Sequence, residues 1–296
     1  MKIKHLYYCP FTGLGLYDGF RGKRWLKNRI QIFKQFVVPS LLNQKDQDFV
    51  LWISWRWADK NNKVILEFKK YLDLKLNTVF TYHGLCFWDD KYPDAEARIR
   101  LLSSIHGSLG DLIDIVGNTD FVYMTIQPSD DLYRENLREE LDRVFSDPQI
   151  QVTGFIKGYI MDYSRGLVSE YNPATIPPFF TIKFPTFIFI DPLKHAKYTG
   201  PYKSHEYIGE KLRFEPINNQ RGFIVGCHGE NISTFWDHPF KGGPAGKWVL
   251  ADFGLNEEVL RVKLGIYRKI IKLLPHPIRR KLRYWFAEKL KMPFFK

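Results

Sequence analysis

Short apolar segments alternate with amphipathic segments along the first half of the chain. Four runs rich in aromatic and β-branched residues predict strands at His5–Cys9, Asp48–Trp55, Asn77–Tyr82 and Asp120–Ile126. Apolar residues recur at helical spacing over Trp25–Leu42 and Ala95–His106. Strands that alternate with helices predict a parallel sheet with helices on both faces, in which ligands bind at the carboxyl ends of the strands.

The second half continues this pattern after a predicted helix at Leu132–Phe145. Further strands are predicted at Ile150–Ile156, Gly158–Asp162, Thr186–Ile190 and Phe223–Cys227. Another helix is predicted to open at Lys203–Tyr207. The chain therefore reads as an α/β protein over most of its length.

The last forty residues have a different character. Two helices, Glu257–Leu274 and Pro277–Leu290, are predicted on either side of Pro275-His276-Pro277, which breaks a continuous helix. The second has an apolar face flanked by basic residues, which is typical of a helix lying in the interface of an anionic membrane. The alternative is that the apolar face packs under the preceding domain and the charges face water.

Composition and charge narrow the choice of protein class. The chain has 296 residues, 45% of them hydrophobic and 16% aromatic, which fits a folded protein and excludes a disordered one. Its net charge is +12, but residues 261–296 carry twelve Lys and Arg against one acid, so the remainder is close to neutral. Nucleic-acid-binding proteins spread basic residues over the face that meets phosphate. Because the basic charge of this chain is confined to its last segment, a nucleic-acid-binding function is disfavoured.

The expected compartment is the cytoplasm. No apolar run is long enough for a transmembrane helix, and Pro10 and Gly13 interrupt the N-terminus before a signal-like apolar region. The three cysteines are far apart and show no C-x-x-C spacing, so neither a disulfide framework nor a zinc site is expected.

A glycine-rich basic segment follows the first predicted strand. Residues 13–24 contain four glycines together with Arg21, Lys23 and Arg24. Backbone amides and guanidinium groups in such a loop can approach a phosphate. The spacing matches neither a Walker A nor a G-x-G-x-x-G motif, so an exposed loop without a ligand is the alternative.

Two adjacent carboxylates follow the fourth predicted strand, in Pro128-Ser129-Asp130-Asp131. Carboxylates at such a place suit Mg²⁺ or Mn²⁺, which also bind substrate phosphates. The alternative is that Ser129 or Asp130 caps the helix predicted at Leu132–Phe145. Glu206 lies where a helix is predicted to begin, and His228 lies just past a predicted strand. Each is a candidate catalytic or ligand-binding residue, and the alternative is an ordinary polar side chain of the surface or core.

The order of these features resembles a family. Residues Trp25 to Gln44, followed by Asp48-Phe49-x-Leu51-Trp52, look like the N-terminal half of rhamnosyltransferase-type glycosyltransferases. Ser129-Asp130-Asp131 resembles that group's Asp-Ser-Asp-Asp element, and the segment Gly226 to Ser233 is similar to its late strand end with a histidine. The resemblance runs from about His5 to Phe240, and Pro128 stands where the family's acidic element begins with Asp.

The resemblance implies a GT-A-like fold, a Rossmann-like mixed sheet flanked by helices, built around one continuous sheet. Residues 1–256 form the glycosyltransferase domain, with a nucleotide-sugar-binding half (1–131) and an acceptor half (132–256), and 257–296 form the basic amphipathic tail. The implied roles are Asp130 and His228 as ligands of Mg²⁺ or Mn²⁺, Glu206 as the catalytic base ahead of Asp191, and a donor-binding set of Phe11, Arg21, Arg24, Arg29 and Asp131. Because Pro128 replaces an acid, the metal dependence is the least secure of these implications.

The expected function is transfer of a sugar, rhamnose by resemblance only, from a nucleotide-sugar donor to a saccharide or lipid-linked saccharide. The transfer is expected to be inverting and to serve polysaccharide biosynthesis. The expected location is the cytoplasmic face of the cell membrane, which the tail would contact, with no nucleic-acid partner. The rival hypothesis is a non-catalytic nucleotide- or carbohydrate-binding protein on the same fold, and Pro128 is the feature that favours it.

Overall fold

The computed structural model describes residues 1–11, 19–84, 94–163, 165–199, 205–228, 243–244 and 246–256. Strands in these ranges form two sheets. In chain order they are β1 (Ile3–Pro10), β2 (Phe49–Arg56), β3 (Thr78–Gly84), β4 (Phe121–Ile126), β5 (Leu132–Tyr133), β6 (Val152–Phe155), β7 (Gly158–Asp162), β8 (Leu167–Tyr171), β9 (Phe180–Pro185), β10 (Phe214–Ile217), β11 (Phe223–Cys227) and β12 (Gly243–Pro244).

Helices lie between β1 and β2, β2 and β3, β3 and β4, β5 and β6, and β9 and β10. In chain order they are α1 (Gly19–Ile32), α2 (Val38–Leu42), α3 (Lys63–Asp73), α4 (Asp94–Val116), α5 (Leu137–Phe145), α6 (Thr186–Phe189), α7 (Pro192–Thr199) and α8 (Lys247–Asp252). A π-helical turn, Phe33–Val37, joins α1 to α2, and 3-10 helices occupy Trp57–Asp59 and His205–Glu210. The helix predicted at Trp25–Leu42 is thus present as three joined pieces.

The first sheet has seven strands in the order β10-β6-β9-β4-β1-β2-β3. β1 pairs in parallel with β2 and β4, and β2 pairs in parallel with β3. The α/β prediction is confirmed. The four strands of the first half are parallel, as predicted, and the sheet as a whole is mixed, as the resemblance implied, because β9 runs antiparallel to both β4 and β6.

The remaining strands form a second sheet in the order β12-β8-β7-β11-β5. β7 and β8 form an antiparallel pair, and β11 pairs in parallel with β7 and antiparallel with β5. The expectation of one continuous sheet is therefore wrong. The chain leaves the first sheet at the end of β4, and a turn of five residues carries it into β5 of the second sheet.

The core lies on both faces of the seven-stranded sheet. Along β1, Leu6 and Tyr8 belong to one buried apolar cluster, whereas Tyr7 and Cys9 belong to the other. This alternation follows from the two-residue period of a strand, and burial on both sides is what a sheet covered by helices on each face requires. The continuous apolar runs that predicted β1, β2 and β4 reflect this double burial.

Two predicted elements differ from the structure. Thr186–Ile190 was expected to be a strand, but the strand is β9 and the following residues form α6. Phe121, the first residue of β4, pairs with Pro185, so the chain beyond Pro185 has no strand residue left to pair with. Leu132–Phe145 was expected to be one helix, but it begins as β5, and α5 starts five residues later, after Asn136.

Several predictions concern residues outside the described ranges. The residues predicted to form the two helices of the tail lie there, as do Lys203 and Ser204 of the segment predicted at Lys203–Tyr207. The division into a donor half and an acceptor half at residue 131 stays a prediction. Over the residues that are described, no helix combines the length and the apolar character needed to cross a membrane.

Candidate functional site

The strand order makes the carboxyl ends of β1 and β4 a switch point, which is where open α/β sheets bind their ligands. Chain connections from β1 lead to β2 and β3 on one side, and β4 lies on the other side of β1. Loops after such neighbouring parallel strands diverge and leave a crevice at the sheet edge, where ligands bind in open α/β sheets. The segment that enters α1 follows β1, and the Asp130-Asp131 pair follows β4 at this same edge.

Asp130 is the centre of a charged cluster in this crevice. The Nη1 atom of Arg29, on α1, contacts Oδ2 of Asp130, and Nε2 of His228, just past β11, lies 3.1 Å from the same oxygen. Arg29 and His228 are each only 3% exposed. Three segments that are distant in sequence thus bring their polar side chains together, as the predicted pairing of Asp130 with His228 required.

This environment determines the charge of Asp130. Burial favours the neutral acid, but the positive charge of Arg29 and the hydrogen bond with His228 outweigh it and lower the pKa of Asp130 to about 2. Asp130 is therefore ionised at neutral pH. It is not a helix cap, since α5 begins at Leu137, so the capping alternative for Ser129 or Asp130 is wrong.

Arg29 is held from two sides. Its guanidinium contacts Asp130 and also lies over the ring of Trp25, one helical turn earlier, at 5.0 Å from the ring centroid. Both residues are buried on α1. An arginine that is stacked on an aromatic face and ion-paired at once has little freedom to adopt another rotamer. The positive charge at this position is therefore a fixed feature of the fold.

Asp131 faces a different partner. Its Oδ1 accepts a hydrogen bond from the backbone N–H of Gly226 on β11, at 2.9 Å. Burial and the neighbouring Asp130 charge raise the pKa of Asp131 well above its usual range. The two consecutive carboxyl groups therefore differ in role: Asp130 meets a cation, and Asp131 fastens the loop after β4 to the second sheet. Its predicted part in donor binding stays a prediction.

The turn between β4 and β5 is held by further hydrogen bonds. Nε2 of Gln127 donates to the carbonyl oxygens of Pro128 and Asp131, at 2.8 and 2.9 Å. The hydroxyl of Tyr163 donates to the carbonyl oxygen of Asp130 at 2.9 Å, and its ring stacks on Phe36 at 3.8 Å. These contacts fix the backbone that carries both carboxylates.

Sequence reasoning missed two residues at this edge, Asp162 and Tyr163. Asp162 is the last residue of β7 and is 4% exposed. It lies opposite Cys227 of β11, and His228 directly follows Cys227. The backbone N–H of Tyr163 donates to the carbonyl oxygen of Cys227 at 2.9 Å. The signal was present, because an acid that ends a predicted buried strand is the same pattern that singled out Asp130.

The other predicted site residues divide into buried and undescribed ones. The ring of Phe11 is 1% exposed and packs against Trp55 at 4.6 Å between ring centroids, so it belongs to the core and does not face the crevice. Arg21 and Arg24 lie in the first two turns of α1, and Glu206 lies in the 3-10 helix His205–Glu210. The side chains of these three residues are outside the described ones.

Asp191, the weaker candidate for the base, has a structural role. Its Oδ1 accepts hydrogen bonds from the backbone N–H groups of Leu193 and Lys194 at 3.0 and 3.1 Å, which caps the start of α7. The hydrogen bond from the Lys194 backbone is the main cause that lowers the pKa of Asp191. The assignment of Glu206 as the base stays a prediction.

An exposed aromatic ring stands at the same edge of the sheet. Trp57 directly follows β2 and is 67% exposed, and Nζ of Lys60 lies 4.6 Å from its ring centroid. The turn beneath is fixed by Arg56, whose guanidinium donates to both carboxylate oxygens of Asp59 at 2.9 and 3.2 Å. Such a ring offers a flat surface for stacking that Phe11, being buried, does not offer.

The expected Mg²⁺ or Mn²⁺ site can be tested against these side chains. Both ions prefer several oxygen ligands around an open position. Oδ2 of Asp130 already meets Arg29 and His228, and Oδ1 of Asp131 meets the backbone of Gly226. Among the described residues, no group of three or more His, Cys, Asp or Glu side chains is placed to hold a metal ion. As they stand, these residues do not fit a divalent ion.

Comparisons with known proteins give partial likenesses in structure alone. No family model matches the chain, and no curated protein matches it. A fragment of S. aureus TarS, residues 1–349, aligns with 76% of this chain at 12% identity and a TM-score of 0.43, and the same fragment in complex with UDP-GlcNAc aligns with 78% at 13% identity and 0.42. A longer S. aureus TarS structure aligns with 78% at 10% identity and 0.39. This chain spans 60% of the length of the fragment and 37% of the longer chain.

Proposed function

We propose that this protein is a glycosyltransferase that takes its sugar from a nucleotide-sugar donor. The observation that carries the proposal is the buried cluster of Arg29, Asp130 and His228 at the carboxyl edge of β1 and β4. Buried charges are costly unless they are paired, so a cluster assembled from three distant segments at a ligand crevice indicates a functional site. The resemblance of the sequence to rhamnosyltransferase-type enzymes supports the same class.

The donor diphosphate binds at the start of α1 in this proposal. The first N–H groups of a helix have no partner within the helix and attract anions, and Arg21 and Arg24 lie in the first two turns of α1. Arg29 lies two turns further along the same helix, and its charge offsets that of Asp130. The diphosphate thus meets a positively charged helix start and a neutralised carboxylate.

Transfer itself needs a base and a stabilised leaving group. Glu206 removes the proton of the acceptor hydroxyl as its oxygen bonds to the anomeric carbon of the donor sugar. The bond from that carbon to the diphosphate breaks, and its electron pair leaves on the nucleoside diphosphate. The basic groups of α1 stabilise the charge that develops there. A single displacement of this kind inverts the anomeric centre.

Trp57 binds the nucleobase in this scheme. It is exposed, it follows β2, and the Arg56–Asp59 pair fixes the turn that carries it. Aromatic stacking accepts any base, so Trp57 does not select one. UDP-GlcNAc, the ligand named for one of the compared TarS structures, is therefore one donor to test among several, with rhamnose donors as others.

The acceptor is a saccharide or a lipid-linked saccharide. The basic tail, residues 257–296, holds the enzyme at an anionic membrane surface where lipid-linked acceptors lie. Its twelve Lys and Arg residues after position 260 give the charge that such binding needs. The protein would then act on the cytoplasmic face of the membrane.

The proposal is tested by binding and turnover with a panel of nucleoside diphosphates and nucleotide sugars. We expect one nucleotide to stabilise the protein against heat, and the matching sugar donor to be consumed when an acceptor is present. Asp130→Asn, which keeps the shape of the side chain but removes the charge that holds Arg29 in place, should slow consumption of the donor. Asp48→Asn is the matched control, because Asp48 forms an exposed ion pair with Lys4 at the opposite end of β1 and β2.

Pro128 and the contact of Arg29 with Asp130 favour one rival, a non-catalytic nucleotide- or carbohydrate-binding protein. The rival predicts nucleotide or sugar binding without turnover of any donor, including slow hydrolysis in the absence of acceptor. If no nucleotide binds at all, the glycosyltransferase proposal fails.

A further inference from the structure

We propose that Arg29 takes the place at Asp130 that a divalent cation would take, so that this protein binds a nucleoside diphosphate without a metal ion. The inference rests on the proposed function, because it concerns how the same site accommodates the diphosphate. It departs from the metal dependence that the sequence resemblance implies.

Asp130 already contacts two basic side chains. Arg29 and His228 both meet Oδ2 of Asp130, and both are almost completely buried. A metal ion at Asp130 would lie beside a permanently charged guanidinium in a region of low dielectric, where like charges repel strongly. The ion could bind only if Arg29 moved away. The guanidinium of Arg29 is stacked on Trp25 and paired with Asp130, and moving it away would break both contacts.

The segment around Asp130 offers few other carboxylates to a metal ion. Sites for Mg²⁺ or Mn²⁺ at a diphosphate draw on at least one or two carboxylates that face the ion. Pro128 stands where the resembled family has its first acid, and Asp131 points its Oδ1 to the backbone N–H of Gly226. Asp130 is therefore the one acid of this segment that faces the crevice cluster, and its partner there is Arg29.

Arg29 itself supplies what the ion would otherwise provide. A guanidinium carries five N–H donors in a fixed planar fork, so an arginine that meets a carboxylate through Nη1 can also donate to phosphate oxygens. It neutralises Asp130, which would otherwise repel the diphosphate. A fixed arginine thereby meets both demands that a divalent ion meets at such a site.

Titration calorimetry of the full chain with the nucleoside diphosphate selected by the panel tests this inference. We expect the dissociation constant of the wild-type protein to change less than about twofold between buffers with EDTA and with Mn²⁺. Arg29→Met, which keeps the length of the side chain but removes its charge, should weaken binding in EDTA by about tenfold to a hundredfold, the range for a lost hydrogen bond to a charged group. Mn²⁺ should restore part of that loss, because the carboxylate of Asp130 then becomes available to the ion.

Arg143→Met is the matched control. Arg143 also pairs with a carboxylate, that of Glu140 at 2.7 Å, but it lies on α5 and its side chain is 55% exposed. This variant should bind nucleotide as the wild type does. Electron paramagnetic resonance of Mn²⁺ gives a second readout. Adding the wild-type protein should not lower the signal of free Mn²⁺. With nucleotide present, the signal should fall only by the amount that the nucleotide binds in the absence of protein.

The outcomes separate the two proposals. Nucleotide binding by the wild-type protein that requires Mn²⁺ overturns the role of Arg29 and leaves the glycosyltransferase proposal standing. Undiminished binding by Arg29→Met in EDTA does the same. If no nucleotide binds in either buffer, the proposed function fails and this inference fails with it. Should Arg29→Met not fold, the comparison of EDTA with Mn²⁺ on the wild-type protein still decides.

Discussion

Removing Arg29 should destabilise the folded protein far more than removing an ordinary surface arginine or lysine. Arg29→Met leaves the carboxylate of Asp130 buried beside α1 without its main counter-charge. Breaking one side of a buried ion pair costs about 3–5 kcal/mol. We expect about 3 kcal/mol, the lower end of the range, because the Asp130 side chain is 15% exposed and keeps its contact with His228.

A double-mutant cycle isolates the ion pair itself. Asp130→Asn alone leaves Arg29 buried without its carboxylate and should also destabilise. In the double variant neither charge remains, so its cost should fall short of the sum of the two single costs by about 2 kcal/mol. The same cycle on Lys69 and Asp73, an exposed pair one helical turn apart on α3, should give about 0.3–0.5 kcal/mol.

Urea denaturation followed by circular dichroism measures these free energies of unfolding. The reasoning is refuted if Arg29→Met costs less than about 1 kcal/mol, or if its coupling with Asp130 equals that of the exposed pair. Either result would mean that Arg29 and Asp130 are well solvated, and the site would then be an open polar surface.

The same carboxylate should make stability depend on acid. The pKa of Asp130 lies at about 2 in the folded protein, below its ordinary value of 3.8, because Arg29 and His228 outweigh the effect of burial. The stabilisation is therefore complete above about pH 4 and is lost as the pH falls through about 2. Its size is about 2 kcal/mol, since one pKa unit corresponds to about 1.4 kcal/mol. Asp130→Asn should remove this part of the acid dependence.

Further predictions concern the core, the base, the turn at β11 and the tail. Burial lowers the pKa of His195 from 6.5 to about 4. The free energy of unfolding of the wild type, measured with urea, should therefore fall by about 3 kcal/mol as the pH falls from about 6.5 to 4, and that of His195→Asn should fall less. Glu206→Gln should still bind nucleotide in calorimetry while transfer falls by about two to four powers of ten, and unchanged transfer would place the base elsewhere. Gly226→Ala should lower the melting temperature in calorimetric scans, because a Cβ there would collide with the Asp130 carbonyl and the Tyr163 ring, whereas Gly110→Ala, with open space around it, should not. Deleting residues 261–296 should abolish salt-sensitive sedimentation with anionic vesicles, and a full-length chain that never sediments with them would refute the membrane role of the tail.

The sequence predicted the strands that are buried on both faces from their composition. β1, β2 and β4 are short segments dominated by apolar and aromatic residues, which is typical of a strand covered on each side. Thr186–Ile190 has equally strand-like composition, yet it is α6. What decides there is the length of β4, whose first residue already pairs with Pro185, and a partner strand's length is not visible in the segment itself.

The site was predictable in part for a similar reason. Asp130 and His228 each follow a buried strand, and that position singled them out. Their strands belong to different sheets, and the turn from β4 into β5, which pairs with β11, brings the two side chains to 3.1 Å. The contact of Arg29 with Asp130 could not be derived this way, because it depends on which face of α1 turns toward β4. Helical periodicity gives a buried face, but it does not say which polar residue at the border of that face meets a carboxylate.

Two adjacent carboxyl groups show how environment separates residues that the sequence presents as equals. Asp130 is ionised because Arg29 lies against it, whereas burial and the charge of Asp130 raise the pKa of Asp131, which fastens the loop to Gly226. The charge of Asp130 is balanced by that of Arg29, whereas Oδ1 of Asp131 is turned to the backbone of Gly226. The two acids acquire different partners because their side chains point to different elements, α1 for Asp130 and β11 for Asp131, and the sequence of the turn itself does not contain that difference.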